Sequence, residues 1–121
     1  KYIGENIRKK VLITGALGQI GSELTERLRK DLGVDNVIAT DVREVEGNPV
    51  VTDGHFEILD VMDRDKMMAI AKDNGVDTII EIGPGKVLSG FVRKIDRKIK
   101  TYQVEDMASL QKCVEAFNET K

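Results

Sequence analysis

The stretch Val11-Leu12-Ile13-Thr14-Gly15-Ala16-Leu17-Gly18-Gln19-Ile20-Gly21 decides the architecture. Its first four residues are a short, nearly unbroken apolar run, the pattern of a strand buried on both faces. Glycines follow at 15, 18 and 21, and leucines then recur at helical spacing as Leu24, Leu28 and Leu32, with Ile20 one turn earlier. Gly33 ends the helix, since glycine tolerates the positive φ that a helix exit needs. A second buried strand, Val37-Ile38-Ala39-Thr40-Asp41, closes on a carboxylate.

Outward from this unit the alternation continues. Residues 42–55 lose periodicity, and Gly47-Asn48-Pro49 and Asp53-Gly54 mark turns, so a loop is expected there with extended residues at Val50-Val51. Phe56-Glu57-Ile58-Leu59 is the third strand. Asp63 can cap a helix whose inner stripe is Met67, Ile70 and Ala71, stopped by Gly75. Thr78-Ile79-Ile80-Glu81-Ile82 is the fourth strand, leading into Gly83-Pro84-Gly85-Lys86. Val87, Leu88, Phe91, Val92 and Ile95 trace the next helix, and Lys100-Thr101-Tyr102-Gln103-Val104 alternates like a strand. Met107, Leu110, Val114 and Phe117 form the inner face of a last helix opened by Glu105-Asp106. Gly33-Val34-Asp35 and Gly75-Val76-Asp77 read as one helix-to-strand connection used twice. Residues 1–9 show no period and are taken as an N-terminal arm.

Strands alternating with helices imply a parallel sheet covered on both faces, with right-handed crossovers. The fold expected is a three-layer, doubly wound α/β Rossmann-like domain over residues 1–121. Its five parallel strands are expected in the order 3-2-1-4-5, with ligands bound at the switch point between strands 1 and 4.

The chain has 121 residues, the size of one domain, and its 19 Lys plus Arg against 21 Asp plus Glu leave a net charge of −2. That balance argues against a nucleic-acid partner. A single cysteine, Cys113, and a single histidine, His55, leave no disulfide framework and no Cys/His metal site. No apolar run reaches membrane-spanning length and no signal peptide is visible, so a cytoplasmic protein without a membrane partner is expected. The start at Lys1 suggests a processed or excised chain.

The glycines sit where a dinucleotide fingerprint belongs, after a buried strand and at a helix start. The first permits a tight turn, the second lets backbone N–H groups approach a pyrophosphate, and the third lets helix and strand pack closely. Asp41 lies 20 residues after Gly21, at a strand tip where it can accept bonds from an adenosine ribose. Its charge would repel a 2′-phosphate, which favours NAD over NADP. Asp60 has two readings, a partner for the adenine amino group or a cap for the next helix. Arg43 reads as a solvated loop residue rather than a phosphate contact. The Gly83 turn reads as strand-to-helix geometry, with an anion site including Lys86 as the alternative. His55 has no partner at triad or ligand spacing, Cys113 lies beside an apolar stripe, and Arg93-Lys94-Ile95-Asp96-Arg97-Lys98 reads as a solvated helix face.

Residues 10–79 resemble the N-terminal half of the NAD-dependent epimerase/dehydratase family, the extended short-chain dehydrogenases, and most closely its threonine-dehydrogenase-like branch. The carriers are the segment from Lys10 to Leu24, then Asn36 to Asp41, then Phe56 to Val61. The resemblance implies NAD contacts by Gly15, Gly18, Gln19, Ile20 and Gly21, with Asp41 and Val42 at the ribose and Asp60 and Val61 at the adenine. That family later carries a Tyr-x-x-x-Lys pair whose tyrosine is the acid/base. Here neither Tyr2 nor Tyr102 has a lysine four residues on, because Asn6 and Asp106 stand there.

Residues 78–118, from Ile80-Glu81-Ile82-Gly83-Pro84-Gly85-Lys86-Val87-Leu88-Ser89-Gly90-Phe91 through Ser109-Leu110, are similar to the C-terminal segment of malonyl-CoA:acyl carrier protein transacylases. That segment is a supporting strand-helix-strand-helix piece; Ser89 lies in no Gly-x-Ser-x-Gly elbow, because Val87 precedes it by two. The two resemblances together imply an engineered chimera spliced inside the fourth strand, near residues 77–82. The expectation is a non-catalytic Rossmann-like scaffold with residual, weak affinity for NAD or its ADP half. The alternatives are an oxidoreductase fragment and a natural, ligand-free interaction module. A monomer is expected, because extended dehydrogenases pair through helices that this chain has replaced.

Overall fold

The computed structural model describes residues 9–83 and 87–119. Of the proposed arm, residues 1–8 lie outside them, as do Pro84, Gly85 and Lys86 of the second glycine turn. The elements are β1 (Val11–Thr14), α1 (Gln19–Leu32), a 3-10 turn (Val34–Asn36), β2 (Val37–Asp41), α2 (Pro49–Thr52), β3 (His55–Ile58), α3 (Arg64–Asp73), β4 (Thr78–Ile82), α4 (Val87–Ile95), β5 (Lys100–Val104) and α5 (Met107–Glu119). The sheet has the order β3-β2-β1-β4-β5, and every pair is parallel.

Strand alternation divides the apolar residues between two layers. Val11 and Ile13 of β1, Val37 and Ala39 of β2 and Ile80 of β4 pack with Leu24, Leu28 and Leu32 of α1 and with Leu110, Val114 and Phe117 of α5. Leu12, Ile38 and Ile79 turn the other way, onto Met67, Ile70 and Ala71 of α3 and Leu88 and Val92 of α4. Both layers draw on residues before and after position 78, so the two sequence segments share one sheet and both of its cores.

Three local expectations are corrected. Val50-Val51 lies in the short helix α2 rather than in an extended segment, because the Asn48 side chain accepts from Val50 N–H and Pro49 presets the first helical φ. Its entropy cost is met from outside: the buried Arg29 guanidinium donates to the carbonyls of Pro49 (3.3 Å) and Val50 (2.7 Å). Ile95 is 54% exposed and Met107 53% exposed, although both fall on apolar stripes. Each sits at a helix end, beyond the sheet that covers the middle of the stripe. The third strand starts at His55 and ends at Ile58, one residue earlier than its apolar pattern suggests.

Candidate nucleotide-binding corner

At the carboxyl end of β1 the chain turns at Gly15, whose φ of +69° is a glycine conformation. A Cβ there would lie 3.2 Å from Ile82 Cβ. Gly21 has no room for a side chain, since a Cβ would stand 2.1 Å from the Gly15 carbonyl oxygen. That contact seats the first turn of α1 directly on the loop. Gly18 is the N-cap of α1 and is exposed. Gln19 is exposed and Ile20 half-buried at the helix start.

The first amides of a helix have no intrahelical partner. In this protein most helices supply one from their own side chains. Asn48 accepts from Val50 N–H at α2, Asp63 from Lys66 N–H at α3, and Asp106 from Ser109 N–H at α5. Glu81, half-buried on β4, accepts from Leu88 N–H at α4. At α1 there is no side-chain cap and no acidic residue in the first turn. Its positive end is left facing the crevice outside the strands, which suits an anion.

Asp41 ends β2 beside this loop. One carboxylate oxygen accepts from Leu17 N–H at 2.9 Å and the other from Val42 N–H at 2.7 Å. An ionised carboxylate has about four acceptor sites, so it can hold the glycine loop and still receive hydroxyl donors. Leu17 was absent from the sequence-derived contacts; the Asp41 spacing was the signal that could have found it. Leu59 N–H donates to the Asp41 carbonyl at 2.7 Å, which fixes the end of the third strand against the second. Val42 is exposed.

Asp60 is exposed, and its side chain accepts from Met62 N–H at 2.9 Å. It shapes the turn before α3, while the cap of that helix is Asp63, so the capping alternative for Asp60 is not realised. Val61 is half-buried against the α3 and α4 layer. The glycine loop, Asp41 and Asp60 therefore line one end of the sheet, along β1, β2 and the exit of β3. Gly83 is tied down instead: its N–H donates to Val104 carbonyl, and its carbonyl accepts from the Gln103 side chain. Arg43 is exposed and His55 pairs with Glu57 at 2.8 Å, so neither joins the corner. Among the described residues no cluster of His, Cys, Asp and Glu could hold a metal ion. No helix among them is long and apolar enough to cross a membrane.

A doubly wound parallel sheet with a glycine turn, an uncapped helix and a carboxylate on the adjacent strand defines a nucleotide-binding α/β domain. The chain belongs to the NAD dependent epimerase/dehydratase family, whose model matches residues 11–119. An uncharacterized epimerase/dehydratase of Staphylococcus aureus (strain USA300) is 51% identical over 74 residues, 61% of this chain and 23% of that protein. L-threonine dehydrogenase from Clostridium difficile is 48% identical with a TM-score of 0.60, over 76% of this chain and 29% of that one. L-threonine 3-dehydrogenase from Trypanosoma brucei is 30% identical with a TM-score of 0.57, over 71% and 27% respectively. The chain thus spans about a quarter of the length of these relatives. The family match runs through the fourth strand without a break, so a transacylase origin for the second segment finds no support in it.

Proposed function

We propose that this chain is a nucleotide-binding fragment that holds the ADP half of NAD weakly and catalyses no turnover. The observation that carries the reading is the uncapped, acid-free N-terminus of α1, set beside a carboxylate that already grips the glycine loop. Backbone N–H groups of Gln19, Ile20 and Gly21 would face the pyrophosphate, with Gly15 and Gly18 leaving it room. Asp41 and Val42 would take the ribose, and Asp60 and Val61 the adenine. When bound, NAD supplies a hydride acceptor. The acid/base pair that would use it has no counterpart here, since Asn6 and Asp106 stand where lysine is needed.

Weak affinity follows from holding only half of the cofactor, which places binding in the micromolar to millimolar range. A composite origin remains part of the proposal: the Staphylococcus aureus match covers 74 residues, close to the extent of the first resemblance. A contiguous genomic reading frame through residues 77–82 would overturn that part alone.

Calorimetric titration with NAD and ADP-ribose tests the binding. Both ligands are expected to bind alike, and Asp41→Ala is expected to weaken each about tenfold, the worth of a charged hydrogen bond. Absence of heat at millimolar ligand would refute the site. NADH formation with threonine, lost on mutating Tyr102, would replace the non-catalytic reading with that of an oxidoreductase.

A further inference from the structure

The sheet has two edges among the described residues, β3 and β5. In β5, Lys100 N–H donates to Asp77 carbonyl, and Val104 carbonyl accepts from Gly83 N–H. Backbone groups along a strand alternate sides, so Lys100, Tyr102 and Val104 face β4. Thr101 and Gln103 then turn their N–H and C=O groups outward. An open edge of this kind is a template for another strand.

We propose that two copies of this chain pair through β5, antiparallel and about a two-fold axis at Tyr102. The register follows from the free groups. Opposing Thr101 to Gln103 of the second copy makes four backbone hydrogen bonds, two at each symmetry-related pair. Sliding by one pair would need the N–H of Glu105 or Ile99. The Ser109 hydroxyl already accepts the first and the Asp96 carbonyl the second. In the four-bond register Tyr102 faces its own copy across the axis as a closely spaced pair. Its ring already lies 5.5 Å from that of Phe117, so it is held for that contact.

Charge selects the same arrangement. The exposed Lys98 and Lys100 stand at the start of β5, and the exposed Glu105 and Asp106 just past its end. Antiparallel pairing sets the basic end of one copy against the acidic end of the other. The other edge lacks this complementarity: Asp53, Glu57 and Asp60 flank or lie in β3, and a second copy there would oppose acid to acid. A groove of about 510 Å³ also runs beside β5, lined by Glu81, Leu88, Arg93, Thr101 and Gln103, and leaves space for a neighbouring strand's side chains. The monomer expected from the sequence concerned pairing through helices, and the sheet edge is a different surface. An interface of one short strand per copy is small, so the dimer is a weak one, with a dissociation constant of about 0.1 mM.

Sedimentation equilibrium over a concentration series tests this. The unmodified chain is expected to form a reversible dimer. Thr101→Pro removes an outward N–H and no β4 bond, and should weaken association at least about tenfold. Lys100→Glu places acid against acid and should weaken it similarly, while Lys100→Glu with Glu105→Lys should restore it. The paired charge variants carry the test if the proline variant does not fold, as judged by circular dichroism. A chain monomeric at about 1 mM, a dimer indifferent to Thr101→Pro and Lys100→Glu, or open-ended polymers would each overturn the proposal.

Discussion

Gly21 and Asp41 show how little sequence is needed to place a nucleotide corner. One has no space for a methyl group against the Gly15 carbonyl, and the other bonds the loop amide of Leu17. Both positions were legible, because the constraint falls on residue type: only glycine fits the first, and only a short anionic acceptor serves the second. Cys113 is a residue whose chemistry the fold decides. Burial in the α1 and α5 layer pushes its thiol up to about 12. Its unfolded value is about 8.5, so the unfolded chain loses this proton first, and stability falls as pH rises from about 8.5 toward 12. Tyr102, also raised by burial, acts in the same direction. The urea midpoint should decline across that alkaline window, and Cys113→Ala should flatten the decline. An unchanged slope in that variant would contradict a buried, protonated thiol.

At the scale of elements, α2 is the instructive case. Four residues cannot sustain a helix alone. Asn48 caps it, and Arg29, 20 residues earlier on α1, binds its carbonyls. The guanidinium also fills the space beside Gly54, where a Cβ would meet it at 2.6 Å. Burial lowers the Arg29 pKa while Asp53 raises it, so the acidic loop partly offsets the desolvation of this cation. Arg29→Met should leave the two carbonyls without their donors and cost about 1–3 kcal/mol for each unsatisfied group. Hydrogen exchange should show protection lost first at residues 50–53. Uniform loss over the whole sheet would mean that Arg29 supports the core and not this element. The Asn-Pro pair signalled the helix in the sequence; the arginine did not, because nothing local marks a contact made across 20 residues.

For the whole molecule, the junction between the two sequence segments is the test of unity. Ile80 is fully buried, opposite Ile13 in the β1–β4 register, within the core shared by α1 and α5. Ile80→Ala should cost about 2–5 kcal/mol, the range for a large-to-small change in a packed core. Unfolding followed by far-ultraviolet dichroism and by tyrosine fluorescence should give one coincident transition. Two separate transitions, with only one moved by the substitution, would show two independent cores.

The sequence by itself determined the five strands, their order and the glycine corner, because buried parallel strands and tight turns restrict residue type at each position. Tertiary structure alone decided which stripe residues are covered, leaving Ile95 and Met107 in solvent where the sheet ends beneath them. It also decided that Glu81 caps a helix seven residues on and that Arg29 organises a distant loop. Such roles depend on distances between elements, and periodicity along a chain records only which side of one element a residue occupies.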